Sequence, residues 1–266
     1  MDTPDIIFED NHLIVAVKPA GVLPQADGSP APDMLTLLKD YIKVKYQKPG
    51  AVYLGLLHRL DRPVSGLMVF AKTSKCASRI SEQIRDRKVT KRYRAVVEGS
   101  FKEKSATLSH YALKDPKTNN TRIFEPGKAP KDAKPVKLSY NVIAKTEYKG
   151  REVSLVEIDL HTGRSHQIRT QLCHVGHPLL GDARYGSGLY KGDIALESFT
   201  LGFDHPTTRE HMEFKLDIRD EMPWKLFRAY LFSDIRKGCH DMHREQPLFY
   251  IDSTDDLFLF KIRLDH

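Results

Sequence analysis

The stretch that most constrains this chain runs from His58 to Thr73 and reads HRLDRPVSGLMVFAKT. It places one carboxylate, Asp61, between two arginines, and Pro63, Gly66 and an apolar run over 67–71 follow. An apolar run of this length predicts a buried strand. Because proline fixes one backbone angle and glycine permits unusual ones, the segment before the strand is predicted to be a sharp loop. A carboxylate on such a loop reaches a cleft, although an Asp that caps a turn or pairs with a surface Arg would fit the same letters.

Hydrophobic spacing and turn residues predict elements on both sides of this stretch. Asp33 is suited to cap one helix, and Ser165 to cap another over 166–174, which Gly176 terminates. Residues 102–137 are polar and weakly patterned, so we interpret them as a long irregular excursion between strands. The predicted hairpins cover 5–18, 140–160 and 201–214, the other strands 52–57, 67–71, 91–99 and 257–264, and the other helices 74–86 and 224–232.

Composition limits the class of protein. The chain has 266 residues, of which 40% are hydrophobic, enough for one large core or two smaller lobes. No apolar run approaches the ~20 residues that span a bilayer, and the acidic N-terminus lacks the basic region of a signal peptide. Three widely spaced cysteines without a CxxC pattern argue against a disulfide framework and favour a reducing cytoplasm. The net charge of +7 suits a polyanionic partner without proving one.

Positive charge is concentrated between residues 72 and 94, where only Glu82 and Asp86 oppose it. Such a face is usually solvated surface, but its single sign favours phosphate contacts. Tyr93 follows these cations at the start of an apolar strand. It is either an ordinary strand tyrosine or an aromatic platform on which a base stacks. The predicted RNA-binding residues are Arg59, Arg62, Arg85, Lys88, Lys91, Arg92 and Arg169.

Metal and nucleotide-cofactor sites are not predicted. The histidines and cysteine that stand close together match no familiar ligand spacing and have no second cysteine nearby; they are His161, His166, Cys173, His174 and His177. A dinucleotide fingerprint and a phosphate-binding P-loop are both absent from the sequence.

Taken together, the motifs resemble the RluA-type pseudouridine synthases. HRLDRPVSGLMVFAKT is similar to the catalytic motif of that family, with Asp61 at the position of its essential aspartate. IVAVKPAGVLPQADG (14–28) resembles the first motif, and KRYRAVVEG (91–99) places Tyr93 at the active-site tyrosine. TGRSHQIR (162–169) resembles the segment whose arginine pairs with the carboxylate, which we place at Arg164, and HPLLGDARYG (177–186) follows as in the family.

The resemblance covers residues 6 to 222 and implies an α+β fold: a mixed, largely antiparallel central sheet flanked by helices and loops, with a central RNA-binding cleft. It implies a catalytic domain over 1–223, an extension over 224–266 packed on it, and neither metal nor organic cofactor. The sequence departs from the family at Leu196-Glu197-Ser198, where a His or Cys followed by Ala is more usual.

The implied reaction is the isomerisation of a uridine in an rRNA or tRNA stem-loop. Asp61 would attack carbon 1′ of the ribose or take a proton from carbon 2′. Arg164 would keep Asp61 charged, Tyr93 would hold the detached base, and Arg59 or Arg62 would bind phosphate or fill the vacated space. We expect a cytoplasmic monomer. Two alternatives remain open: an RNA-binding protein without catalysis, and a nucleoside or RNA glycosylase that uses Asp61.

Overall fold

The computed structural model describes residues 4–230. The strands are β1 Asp5–Glu9, β2 Leu13–Lys18, β3 Gly55–Leu56, β4 Ser65–Ala71, β5 Thr90–Glu98, β6 Ser105–Lys114, β7 Thr121–Phe124, β8 Lys134–Tyr148, β9 Arg151–Leu160, β10 Leu196–Asp204 and β11 His211–Lys215. The α-helices are α1 Met34–Lys45, α2 Ser74–Arg85 and α3 Gln167–His174, and a 3-10 helix covers Trp224–Phe227.

Over residues 4–230 the strands form one sheet in the order β1-β2-β4-β10-β5-β9-β8-β6-β7, with β3 beside β4 and β11 beside β10. The β4–β10 pair is parallel, whereas the other strand pairs of this region are antiparallel. The predicted α+β fold with a mixed, largely antiparallel sheet is therefore confirmed.

The central strands are buried on both faces, which explains their continuous apolar runs. Alternate residues of β2 and β4 point to opposite sides, so Ile14 and Met68 join a core with α1, whereas Leu13 and Leu67 join one with α2. Helix α1 contributes Met34, Leu38 and Ile42, and its N-terminus is capped by Asp33 as predicted.

Helix α2 begins after the cap Thr73 and buries Cys76 and Ile80 against the second core. Trp224 and Phe227 pack into a third cluster with Val96 and Leu155. The helix predicted over 224–232 thus begins as a 3-10 turn. Its last residues and the strand predicted over 257–264 lie outside the described part of the chain.

The parallel contact between β4 and β10 comes directly after the Asp61 loop. Gly66 has φ of +124°, and a Cβ there would overlap the backbone of Ser198 on β10. Glycine is therefore required where these two backbones approach, and this approach fixes where the loop leaves the sheet.

Three local predictions are wrong. The region 102–137 is not irregular: it contains β6, β7 and the start of β8. Ser105 to His110 alternate exposed and more buried positions, which is a strand pattern, but the low overall hydrophobicity of the region favoured an irregular interpretation. The strand predicted over 52–57 shortens to Gly55–Leu56. The cap of α3 is His166, in the left-handed region with φ of 56°, rather than Ser165.

Candidate active site

The Asp61 loop joins β3 to β4 and is tied to the loop that follows β2. Lys18, which is fully buried, donates through Nζ to the carbonyls of Pro19, Val22 and Arg62 at 2.8, 2.7 and 3.0 Å. Arg62 Nε donates to the carbonyl of Gly21 at 3.0 Å. Burial lowers the pKa of Lys18 to about 8, although the charge of Asp61 opposes this shift. The first motif of the sequence therefore acts as a brace for the carboxylate loop.

His58 fixes the other end of the loop. Its Nε2 accepts a hydrogen bond from the backbone N–H of Val69 at 3.2 Å. Val69 lies between the stretch of β4 that pairs with β3 and the stretch that pairs with β10. Burial, and then the charge of Lys91, lower the pKa of His58 well below its usual value, so the ring is a neutral acceptor. This bond satisfies a strand amide that would otherwise be buried without a partner.

The cation beside Asp61 is Arg169. Its Nη1 lies 3.4 Å from Asp61 Oδ2, while Nε and Nη2 donate to the two oxygens of Asp182 at 2.8 and 2.7 Å. Burial disfavours the charged guanidinium, but the hydrogen bonds and charge of Asp182 outweigh it and raise the pKa of Arg169. Asp182 in turn accepts from the backbone N–H groups of Arg184 and Tyr185. Asp182 thus orients the planar fork of Arg169, which faces Asp61 with its remaining nitrogen.

The predicted pairing of Arg164 with Asp61 is therefore wrong. Arg164 lies in the turn before α3 with an exposed side chain and makes no ion pair with Asp61; its backbone N–H donates to Gln167 Oε1. Arg169, which the sequence assigned to RNA binding, is only 5% exposed and is held between two carboxylates. Both arginines belong to one motif, and only the helical position of Arg169 on α3 turns it inward.

Tyr93 lies on β5 opposite Ile158 of β9 and Ser198 of β10. The residue is buried, and burial together with the charge of Asp61 raises the pKa of its hydroxyl to about 12. Tyr93 and Asp61 line the same cleft. Tyr93 is therefore a neutral phenol at physiological pH.

At Leu196-Glu197-Ser198, where the sequence departs from the family pattern, Glu197 forms a buried ion pair. Glu197 on β10 accepts from Arg94 Nε on β5 at 2.7 Å, and Arg219 Nε lies 3.1 Å from its other oxygen. Arg219 also donates to Ser65 at the start of β4. The glutamate thus helps to join β5, β10 and β4 just below the Asp61 loop.

Comparison with known proteins decides the family. The family model described as RNA pseudouridylate synthase matches residues 12–174. This chain belongs to the RNA pseudouridylate synthases. The "Uncharacterized RNA pseudouridine synthase YlyB" of Bacillus subtilis is 30% identical over 238 residues, which cover 88% of this chain and 73% of the relative.

Two other relatives of this pseudouridine synthase are named for the large ribosomal subunit and for tRNA. "Ribosomal large subunit pseudouridine synthase D" of Zymomonas mobilis is 30% identical over 86% of this chain and 74% of its own. "tRNA pseudouridine synthase C" of Vibrio parahaemolyticus is 30% identical over 81% of this chain and 91% of its own. The solved structure of human "RNA Pseudouridylate Synthase Domain Containing 1" has a TM-score of 0.65 at 23% identity over 86% of this chain and 94% of its own, which shows the shared fold.

In this synthase Asp61 lies in a cleft of about 1640 Å³. Basic side chains outnumber acidic ones more than twofold among the residues that line it. The basic lining residues are Arg59, Arg62, Arg87, Lys91, Arg92, Lys114, Arg164, Arg169 and Arg184, and the acidic ones are Asp27, Asp61, Asp159 and Asp182. A groove of one dominant sign concentrates polyanions near the carboxylate.

Apart from Arg169, the predicted RNA-binding residues divide into two groups. Arg59, Arg62, Lys91 and Arg92 line the cleft, and burial lowers the pKa of Lys91 to about 8. Arg85 and Lys88 are exposed at the end of α2 and do not line it. Whether any of them contacts RNA stays a prediction.

One group of metal-type donors converges within residues 4–230: His110 on β6, Glu125 after β7 and His174 on α3. Gln171 Nε2, which also donates to the carbonyl of Leu108, faces His110 Nδ1 at 3.0 Å. A donor at Nδ1 leaves the proton of neutral His110 on Nε2, towards Glu125. Nδ1 of His110 accepts from Gln171 and Nε2 carries the proton, so neither nitrogen offers a free lone pair to a metal ion. The group instead joins the β6–β7 ribbon (105–124) to α3.

Sequence reasoning missed the residues that support the carboxylate. These residues all lie inside the quoted motifs, but the sequence does not show which side chain each one contacts; they are Lys18, His58, His166 and Asp182.

In the described part of the chain, no helix is long and apolar enough to cross a membrane.

Proposed function

We propose that this synthase isomerises a specific uridine in structured rRNA or tRNA to pseudouridine, with Asp61 as the essential carboxylate. The observation that carries this proposal is the ion pair between Asp61 and the buried Arg169 inside a basic cleft that also contains Tyr93. An ionised carboxylate is the group that this reaction needs beside the ribose, and a guanidinium favours the ionised form.

The cleft supports a base-flipping mode of binding. A uridine stacked in folded RNA must be extruded to reach Asp61, at a cost of a few kcal/mol. The exposed guanidinium groups of Arg59 and Arg62 stand beside Asp61 in sequence and in the cleft, where they are suited to bind the flanking phosphates.

The roles of Asp61 and Tyr93 follow from their charge. Asp61 either attacks carbon 1′ or removes the carbon-2′ proton, and in both cases the uracil–ribose bond breaks. Tyr93 supplies a face for the detached base while the base turns to present carbon 5. Because the pKa of Tyr93 is raised to about 12, its hydroxyl acts as a hydrogen-bond donor rather than as a phenolate at neutral pH. Carbon 5 then bonds to carbon 1′, which either displaces the Asp61 carboxylate from that carbon or is accompanied by return of the proton from Asp61 to carbon 2′. The carbon-5 proton passes to solvent and nitrogen 1 of the base takes up a proton, so the product is an isomer of the uridine.

The glycosylase alternative needs a second carboxylate or an activated water. Asp182 is the second carboxylate that contacts Arg169, but both of its oxygens accept hydrogen bonds from that guanidinium. It is therefore badly placed to activate water. Release of free uracil from RNA would identify a glycosylase, and RNA binding without either product would identify an inactive binder.

Mapping of pseudouridine in rRNA and tRNA from cells with and without this gene tests the proposal and identifies the uridine. We expect one or a few sites to disappear without the gene and to return with the wild-type gene. Unchanged maps in both RNA classes would contradict it. We also propose that the enzyme acts in the cytoplasm as a monomer, which fractionation and sedimentation of the full chain would test.

A further inference from the structure

His166 stands in an unusual backbone conformation beside the carboxylate. It precedes α3 with φ of 56° and ψ of 18°, in the left-handed region, and makes no side-chain cap bond to the helix. Residues with a Cβ occupy this region at a cost, and such positions persist where the surrounding structure holds the side chain in place. The side chain of His166 is only 9% exposed.

The hydroxyl of Tyr185 bonds to one nitrogen of His166. The Tyr185 hydroxyl oxygen accepts from the backbone N–H of Thr121 at 3.0 Å and lies 2.8 Å from His166 Nδ1. A hydroxyl that accepts from Thr121 still has one proton to donate and one lone pair, so it either donates to Nδ1 or accepts from it. When the hydroxyl donates, the proton of the neutral imidazole is on Nε2, where it faces Asp61. Burial lowers the pKa of His166 even though Asp61 opposes the shift, so the ring is neutral at pH 7.

His166 Nε2 and Arg169 Nη1 face the same oxygen of Asp61. Nε2 lies 3.9 Å from Oδ2, and Nη1 lies 3.4 Å from it. Within residues 4–230, Oδ1 of Asp61 has no hydrogen-bond partner. Both contacts to Oδ2 are longer than ordinary hydrogen bonds, as is common in active sites that tighten when substrate binds.

We propose that His166 is a positioning residue for pseudouridine formation, whose Nε2–H donates to Asp61 Oδ2 when uridine enters the cleft and leaves Oδ1 as the oxygen that meets the ribose. Arg169 supplies the charge for the carboxylate, whereas His166 supplies a second, neutral donor that fixes its rotation. This inference rests on the proposed function for its kinetic test and on geometry alone for the hydrogen-bond arrangement.

The contacts of His166 and Tyr185 continue to the β6–β7 ribbon. Thr121 belongs to β7, and Lys114 and Asn119 of the β6–β7 ribbon line the cleft. Thr121 also donates through its hydroxyl to the carbonyl of Ser165, next to His166. The position of the ribbon is therefore coupled through Tyr185 to the ring that faces Asp61.

Three variants separate positioning from backbone effects. His166→Asn tolerates the left-handed backbone but is too short to reach Asp61, His166→Gln places an amide N–H near the position of Nε2, and Tyr185→Phe removes the donor to Nδ1. The measurements are the single-turnover rate on total rRNA and tRNA, the RNA dissociation constant and the melting temperature.

We expect His166→Asn to lower the rate by roughly 10–100-fold, the range for a hydrogen bond to a charged group. RNA affinity should stay within a few-fold, and His166→Gln should recover much of the rate. A rate for His166→Asn equal to that of wild type, or equal losses in His166→Asn and His166→Gln, would overturn the positioning role.

Nitrogen-15 NMR of the imidazole in the free wild-type protein gives a readout that does not depend on turnover. We expect the Nε2–H tautomer in wild type and a shift towards Nδ1–H in Tyr185→Phe. An Nδ1–H tautomer in wild type would overturn the inference even if the enzyme is active. Wild-type protein that makes no pseudouridine would instead count against the proposed function, with the NMR result still deciding the hydrogen-bond arrangement.

Discussion

Arg169 Nη1 lies 3.4 Å from Asp61 Oδ2, and the other two nitrogens of the same guanidinium are held by Asp182. The carboxylate proposed to carry the chemistry is therefore positioned by a cation that is itself fixed by a second, fully buried carboxylate. This arrangement makes the position of Asp61 depend on α3 and on the loop before Tyr185, both far away in the sequence.

Replacement of Arg169 by Lys should strongly lower the single-turnover rate. Lysine cannot contact two carboxylates through a planar fork, so Asp61 loses its orientation. We expect the single-turnover rate to fall on the order of 100-fold, as for a misplaced reacting group. Arg169→Ala should also lower the free energy of unfolding by ~3–5 kcal/mol, because Asp182 remains buried without its partner.

Arg164→Lys provides the matched control in the same motif. Because the Arg164 side chain is exposed and lysine keeps its charge in the cleft, the free energy of unfolding should change by ~0.5 kcal/mol or less, and the single-turnover rate should fall much less than in Arg169→Lys. Equal losses in Arg164→Lys and Arg169→Lys would contradict the assignment of the pair to Arg169.

The rate should depend on pH through Lys18. With the pKa of Lys18 lowered to about 8, deprotonation above that pH removes a positive charge near Asp61 and one of the N–H groups that brace the loop. We expect the single-turnover rate at saturating enzyme to decline as the pH rises from 7 to 9. Lys91→Met, which removes the other lysine with a pKa of about 8, should keep this decline.

The contribution of Lys18 to the free energy of unfolding should rise with pH, whereas the rate falls. Its pKa in the folded state is about 8, below its ordinary value of 10.5, so the unfolded state binds more protons between these two values. The contribution of this group to the free energy of unfolding therefore rises with pH across that window.

The kinetic prediction for Lys18 has its own contradicting outcome. A single-turnover rate that stays flat to pH 9 would show that Lys18 does not titrate there or does not matter for turnover.

Basic side chains in the cleft should control the salt dependence of RNA binding. Each phosphate contact contributes a slope of ~0.7–0.9 in a plot of log affinity against log salt. Replacing Arg87 and Arg92 by Gln should therefore lower the slope for total tRNA by roughly 1.4–1.8. Arg85 and Lys88 carry the same charge outside the cleft lining, and their double Gln variant should lower it less. A larger effect from the second pair would move the RNA path onto the face of α2.

Gly66→Ala should destabilise the fold at the exit of the Asp61 loop. A Cβ at Gly66 meets the backbone of Ser198, whereas Gly28 also has a positive φ, +88°, but no atom within 4 Å of a built Cβ. Both changes carry the strain of a positive φ, ~1–2 kcal/mol, and Gly66→Ala adds overpacking of ~1–3 kcal/mol. Denaturant unfolding of both variants measures the difference, and equal losses would argue against a rigid β4–β10 contact.

The sequence predicted the elements whose signals are local. The Asp33 cap, the apolar run of β4 and the hairpin predicted over 140–160 depend on neighbouring residues, and each is found, the hairpin as β8 and β9. The β6–β7 ribbon was missed because the region is polar overall, although β6 does alternate exposed and more buried positions over its first six residues.

The site was predicted only in part, because its contacts join distant segments. Asp61 and Tyr93 line one cleft, as the family resemblance implied. The choice between Arg164 and Arg169 depends on which side of α3 faces the Asp61 loop, and both residues stand in the same motif. Likewise, the partners of Glu197 could not be predicted, because Arg94 reaches it through the pairing of β5 with β10 and Arg219 reaches it from the segment after β11.

The most direct test of the central claim is the pseudouridine content of total rRNA and tRNA, taken from cells that lack this gene, after incubation with wild-type protein or with Asp61→Asn. The substitution keeps the size of the side chain and removes its charge, so RNA binding should stay within a few-fold of wild type. We predict new pseudouridine at one or a few positions with the wild-type protein and none with Asp61→Asn. Substantial pseudouridine formation by Asp61→Asn would contradict the account.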